Sequence, residues 1–194
     1  MSKGDRLSRR VWLGLGANLG ERAVQLACAI EALRIAGVAV DRVSSLYDTP
    51  PWGESPPGLT EPPRYANAVC GGETVLVPAE LLAVAKRIEA AAGRTLDAPR
   101  NSPRPLDVDL LLIKGEVVED PSLVIPHTRL HERAFVLVPL AEVAPMARHP
   151  LLGRSVAELR DALPTDELEA IELIEGPGWE RRVSFRRLSV QTRC

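Results

Sequence analysis

Asp107 and Asp109 stand two residues apart at the head of the stretch DVDLLLI. On a strand such residues face the same side, whereas on a helix they diverge by about 200°, and the apolar run from Leu110 to Ile113 favours strand. Two carboxylates then converge at the edge of a core. Their repulsion and lost hydration cost on the order of several kcal/mol unless positive charge lies between them. Magnesium would supply it, taking oxygen ligands from one or two carboxylates and completing its shell with water and substrate phosphates. Arginine would supply it differently, locking the pair into a buried salt-bridge cluster. Arg94, Arg100 and Arg104 precede the aspartates, and Pro103 and Pro105 hold Arg104 extended, where its planar fork can take a phosphate bidentately. Those three arginines and the Asp107/Asp109 pair, all within sixteen residues, describe a place for a metal-bridged polyphosphate, with the salt-bridge cluster as the structural alternative.

Further along, His127 lies in IPHTRLHERAF just ahead of an expected helix. A histidine donor there could support another phosphate oxygen, or it could be an ordinary loop residue. Arg133 and Phe135 follow, the latter equally at home in a core. Tyr65 and Asn67 fall on one face of an expected strand. The amide of Asn67 can donate to and accept from a heterocyclic amide, and Tyr65 offers a flat ring an apolar wall. The cluster GLGANLG is spaced G-x-G-x-x-x-G, and two strands, not one, follow its helix, so it does not open a dinucleotide-binding βαβαβ unit. No G-x-x-x-x-G-K-[ST] occurs.

These side chains need a frame to bring them together. Residues 10 to 16 read as a strand. Ala23, Leu26, Ala27, Ile30 and Leu33 then make a helical face closed by Gly37. A second strand is expected over 38 to 48. From Pro50 to Pro63 six prolines and two glycines exclude helix or ladder and predict a long loop of the kind that covers binding sites. A strand over 65 to 77 follows, then a helix led by Pro78 and closed by Gly93. After a second loop, 94 to 105, comes the strand 106 to 113, with a short partner strand expected at 116 to 118 beyond Lys114-Gly115. This βαββαβ order predicts an α+β fold: a ferredoxin-like sandwich with a mainly antiparallel sheet and helices packed on it. Helices are expected at 129 to 143 and 156 to 163, the latter with a Ser155/Glu158 capping box. Residues 1–165 make the main domain, and residues 166–194 an extension that reads as a β-hairpin about Gly176-Pro177-Gly178.

With 45% hydrophobic and 26% charged residues, the 194-residue chain can build a real core. Its formal net charge of -2 gives no general reason to expect nucleic acid or an anionic membrane as a partner. The apolar runs fall far short of the ~20 residues of a membrane span. Cys28, Cys70 and Cys194 have neither disulfide-framework nor zinc-site spacing and are expected to be reduced, fitting a cytoplasmic protein.

Six blocks in order, LGLGANLGER, SSLYDTPPWG, YANAV, IEAAAGR, RNSPRPLDVDLLL and IPHTRLHERAFVLVPLAEVAP, resemble the 6-hydroxymethyl-7,8-dihydropterin pyrophosphokinase family of folate biosynthesis over about residues 11 to 165. The resemblance implies transfer of the β,γ-diphosphate of ATP to the hydroxymethyl group of the dihydropterin, with release of AMP. It implies two Mg²⁺ ions on Asp107 and Asp109. Thr49, Pro50, Trp52 and Asn67 match the family's pterin pocket, and Tyr65 and Phe135 the two rings that sandwich the pterin. Glu89, Arg94, Arg100, Arg104, Leu123, His127 and Arg133 match its ATP-binding positions, with Arg94 and Arg104 stabilising phosphate charge. The chain departs from some members at Asn101, Leu96, Lys86 and Thr128, which bear on lid contacts and the adenine pocket. Two other readings compete: a catalytically inactive relative retained for interactions, and a ferredoxin-like RNA-binding module. The second is disfavoured by only seven aromatics and by the acids on the strand.

Overall fold

In this computed structural model the described residues are 7–53, 63–93 and 102–188, with side chains to 183. One sheet organises them. Strand β1 (Arg9–Ala17) leads into helix α1 (Arg22–Ile35), then β2 (Val38–Val43), β3 (Leu46–Thr49), β4 (Tyr65–Thr74), α2 (Pro78–Ala91) and β5 (Asp107–Ile113). The spatial order is β5-β1-β4-β3-β8, with β2 also paired to β4, and every pairing is antiparallel. The expected strand over 38 to 48 divides at Ser44-Ser45. There the Ser44 N–H donates to the Val69 carbonyl and the Val69 N–H donates to Ser44 Oγ, both at 2.9 Å.

Side-chain alternation on β1 sets up two cores. Val11, Leu13, Leu15 and Ala17 point to one face, where they pack with Leu26, Ile30 and Leu33 of α1 and Leu81 and Ala85 of α2. Trp12 points to the other face, among Val69, Leu111, Leu137 and Leu140. On that second face β1 continues with Gly14 and Gly16 and carries no side chain of its own beyond Trp12; Leu111 lies over Gly14, 3.3 Å from where a Cβ would sit. The register slips between Trp12 and Leu13 against Leu112 and Leu110, a bulge that lets the run Leu110–Ile113 fill both cores. Helix α2 begins at Pro78, with Glu80 accepting from the Val77 N–H at 3.1 Å.

Several expectations are corrected. The strand expected at 116 to 118 does not partner β5: β6 (Val118–Asp120) pairs with β7 (Leu123–Ile125). Asp120 Oδ1 makes their turn by accepting from the Ser122 N–H and hydroxyl. The helix expected over 129 to 143 is a 3-10 turn, Leu130–Glu132, an extended Arg133, and α3 (Ala134–Val143). Helix α4 (Val156–Arg160) has the expected Ser155/Glu158 box, and a short α5 (Thr165–Glu169) follows. The C-terminal hairpin is overturned. Its first arm is a strand, β8 (Glu172–Glu175), but that strand pairs with β3, and after Gly178 the chain forms helix α6 (Trp179–Leu188). Trp179 and Val183, one helical turn apart, reach the first core. Trp179 is fully buried, and its Nε1 donates to the Ser44 carbonyl at 2.9 Å. Cys70 is a buried free thiol, whereas Cys28 is disulfide-bonded. That corrects the reduced state expected for it, because linear spacing does not record which segment packs beside α1. Among the described residues no helix is long and apolar enough to cross a membrane.

Candidate active site

Where β1 is bare, its neighbours carry polar groups. Asp107 and Asp109 on β5 stand opposite Gly16 and Gly14, while Asn67 and Val69 on β4 flank the same two glycines. The absent side chains are a requirement, since a Cβ on Gly16 would lie 2.8 Å from Asn67 Oδ1. The trough therefore has carboxylates along one bank and the amide of Asn67 along the other.

The acidic bank is held from several directions. Arg104 Nη1 donates to Asp107 Oδ2 at 2.9 Å, and the Arg104 backbone is itself gripped by Asn18. Asn18 Oδ1 accepts from the Arg104 N–H at 2.7 Å, and the Asn18 N–H donates to the Arg104 carbonyl at 3.2 Å. Glu89 of α2 is buried. Its carboxylate accepts from the Val108 N–H at 2.9 Å and from Lys86 Nζ at 2.9 Å, bracing the strand between the two aspartates. The Asp109 carboxylate makes no hydrogen bond or ion pair among the described residues. Burial, and then the charge of Asp107, lift its carboxyl from the ordinary 3.8 to about 6, against the pull of Arg133. Among the described residues no group of three or more His, Cys, Asp or Glu could hold a metal. A cation at this pair would therefore draw on two carboxylates and complete its shell from water and phosphate oxygens, as magnesium does.

Past β7, whose first residue is Leu123, His127 donates its N–H to the Leu111 carbonyl at 2.9 Å, which ties the segment to β5. Burial, then Arg133, pushes the His127 imidazole down to about 4, so near neutral pH it is uncharged. Arg133, at the head of α3, has its Nε buried without a hydrogen-bond partner among the described residues. Its guanidinium carbon lies 4.7 Å from the Trp52 ring centroid and 5.6 Å from that of Phe135.

On the opposite bank, buried Thr49 and Asn67 are joined by a 2.7 Å hydrogen bond from Asn67 Nδ2 to Thr49 Oγ1. That bond leaves Asn67 Oδ1 over Gly16. Tyr65 opens β4 opposite Thr49. Pro50, Pro51, Trp52, Ala134 and Phe135 join Asp166, Glu167, Ala170 and Ile171 around a pocket of about 320 Å³. Strand ends carrying Thr49 and Tyr65 are clasped by the residues just before them. Arg64 Nε donates to Asp48 Oδ2, Arg22 Nη1 donates to Asp48 Oδ1 at 2.7 Å, and Arg64 Nη2 reaches Glu172 at 3.0 Å. Burial alone would raise the Asp48 carboxyl, but Arg64 and Arg22 outweigh it and hold it below the ordinary 3.8.

Thus Asp107 and Asp109 stand on β5 with Arg104 just ahead of it and Glu89 reaching in from α2, His127 is tied to β5 by its backbone, Arg133 stands at the head of α3, and Thr49, Asn67 and Tyr65 line the far bank. Arg94, Arg100, Leu96 and Asn101 lie outside the described residues. Sequence reasoning missed Asn18, the Asp48–Arg64 clasp and the spacing role of Gly14 and Gly16. The glycines were visible as G-x-G on a strand, a period that clears one face of a sheet. Nothing local pointed to Asn18 or the clasp.

A family model described as 7,8-dihydro-6-hydroxymethylpterin-pyrophosphokinase matches residues 12–145. The chain is 42% identical over 164 residues to a 2-amino-4-hydroxy-6-hydroxymethyldihydropteridine pyrophosphokinase of Methylorubrum extorquens, covering 84% of this chain and 99% of that protein. It is 38% identical to the protein of that name from Pseudomonas aeruginosa, over 84% and 97% of the two chains. It is also 41% identical over 133 residues to a mitochondrial folate synthesis bifunctional protein of Arabidopsis thaliana, covering 69% of this chain and 23% of the plant protein. Among solved structures, a Plasmodium falciparum HPPK-DHPS superposes with a TM-score of 0.64 at 15% identity, over 82% of this chain and 46% of that one, a likeness of fold.

Proposed function

The chain belongs to the 7,8-dihydro-6-hydroxymethylpterin-pyrophosphokinase family, and we infer from that membership and from the trough on β1 that it transfers the diphosphate of ATP to the hydroxymethyl group of 6-hydroxymethyl-7,8-dihydropterin. The products are AMP and the pterin diphosphate, a step of folate biosynthesis. The supporting observation is the acidic pair. Arg104 pairs with Asp107, but burial and the charge of Asp107 still hold the Asp109 carboxyl at about 6, and a polyphosphate-bound metal would bring positive charge to that side chain.

We propose Asp107 and Asp109 as the holders of two Mg²⁺ ions. Such ions, when bound, neutralise phosphate charge and orient the attacking and leaving oxygens. This chain's own contribution is placement. Arg104, fixed by Asn18 and Asp107, presents donors to the phosphates, with Arg94, Arg100, His127 and Arg133 as further ATP-side groups and Glu89 and Leu123 framing the nucleotide side. Asn67, steadied by Thr49, reads the edge of the pterin, while Tyr65, Phe135, Pro50 and Trp52 enclose its faces. With the hydroxymethyl oxygen and the β-phosphorus held in line, positioning and charge neutralisation supply most of the rate, as in phosphoryl transfer generally. Nucleic acid has no part in this reading.

The order β5-β1-β4-β3, with α1 and α2 on one face, supports a ferredoxin-like description of residues 1–165. Residues 166–194 form an extension, of which β8 and α6 pack back on that frame. The cytoplasm, where ATP is made available, is where we place the reaction. The test is AMP formation from ATP, with and without the dihydropterin and Mg²⁺, for the wild type and Asp107→Ala. AMP that needs pterin, metal and Asp107 together bears the reading out. No pterin-dependent AMP from folded wild type would overturn it and return the inactive-relative reading.

A further inference from the structure

Trp52 touches both halves of the site. Its indole lies 6.3 Å from the Phe135 ring, centroid to centroid, at an interplanar angle of 59°. Two guanidiniums also lie against it, Arg129 at 4.0 Å and Arg133 at 4.7 Å from the ring centroid. Two like charges this close repel, and the negative faces of the indole are what make the arrangement tolerable. Arg129 is steadied further by Glu132, whose Oε2 accepts from its Nε at 2.8 Å. Its charge bears on His127 and Arg133, and that of Arg133 bears on Asp109 and Asp107. A guanidinium stacked by its face keeps its in-plane N–H groups free for phosphate oxygens.

Resting on the pyrophosphokinase reading, we propose that Trp52 is a positioning residue for the ATP phosphates as well as a wall for the pterin, and that Arg129 is a further triphosphate-binding cation stacked on it. Trp52, Arg129 and Arg133 then form one packed unit that joins the pterin wall to the phosphate side. Filling either substrate site steadies the other through the indole. The recognised ligand is the polyphosphate of a metal-bound nucleoside triphosphate.

The test is nucleotide affinity in the absence of pterin, by calorimetric titration with a non-hydrolysable ATP analogue and Mg²⁺. It is followed by kcat and both KM values for wild type, Trp52→Leu, Trp52→Phe and Arg129→Ala. Loss of the stack weakens the analogue about fivefold in Trp52→Leu and raises KM for both substrates. Trp52→Phe, which keeps an aromatic face, recovers most of the nucleotide affinity. Arg129→Ala, a change at an exposed side chain, raises KM for ATP about fivefold and leaves KM for the pterin unchanged. If Trp52→Leu weakens the pterin alone and the analogue binds all variants equally, the positioning role is refuted and Trp52 is a wall only. Should Trp52→Leu fail to fold, Arg129→Ala decides by the same nucleotide titration. A wild type with no pterin-dependent AMP would instead overturn the underlying reaction, so the two failures are distinguishable.

Discussion

Replacing Asp109 with asparagine should stabilise the metal-free protein while abolishing its activity. Asparagine keeps the shape of the side chain and removes the charge that burial and Asp107 oppose. A carboxyl lifted from 3.8 to about 6 carries a ceiling of about 3 kcal/mol at pH 8, at 1.36 kcal/mol for each pH unit. Its partial contact with solvent lowers the working figure to about 1–2 kcal/mol. The folded pKa lies above the unfolded one, so between about pH 4 and 6 the folded state binds more protons. The wild type therefore gains stability as pH falls through 6 toward 4, and the advantage of the variant shrinks over the same window. Thermal melts in EDTA at pH 8 should place Asp109→Asn about 3–6 °C above wild type, with the two curves meeting near pH 4. Mg²⁺ with a non-hydrolysable ATP analogue should raise the wild type and leave the variant nearly unmoved. A variant that melts at or below wild type at pH 8 in EDTA would refute the idea that the charge of Asp109 is held at a cost until a cation arrives.

Three further changes probe the scaffold. Gly16→Ala puts a methyl group 2.8 Å from Asn67 Oδ1 and must displace that amide. KM for the pterin should rise about tenfold with KM for ATP unchanged, and equal values for both would show that the trough needs no clearance at Gly16. Arg64→Met opens the clasp on Asp48 and leaves that carboxylate with Arg22 alone. A loss of about 1–2 kcal/mol in urea unfolding is expected, together with a raised pterin KM, and unchanged unfolding would show the clasp idle. Trp179→Phe removes the buried donor to the Ser44 carbonyl together with packing volume, and should cost about 2 kcal/mol by the same measurement.

Read residue by residue, the chain declares its chemistry before its architecture. Asp107 and Asp109 were legible because a two-residue spacing ahead of an apolar run has one simple meaning on a strand. The helices α1 and α2 were legible from apolar period and from their bounding Pro78, Gly37 and Gly93. The C-terminal segment was misread because Trp179 and Val183 suit a helical turn as well as they suit alternation in so short a stretch. The contact that decides between them, Trp179 Nε1 on the Ser44 carbonyl, joins residues far apart in sequence.

The same division runs through the site. Residue type and spacing along the chain determined the acidic pair and the strand that presents it, because those depend on a backbone period of two residues. Tertiary structure alone decided that Asn18 grips the Arg104 backbone, that Glu89 braces Val108 between the aspartates, that Asp48 and Arg64 clasp the strand ends bearing Thr49 and Tyr65, and that Trp52 lies against Arg129 and Arg133. Each of these is a hydrogen bond or ring contact between elements that only the antiparallel sheet and its packed helices bring within reach, and no local propensity encodes which distant partner will arrive.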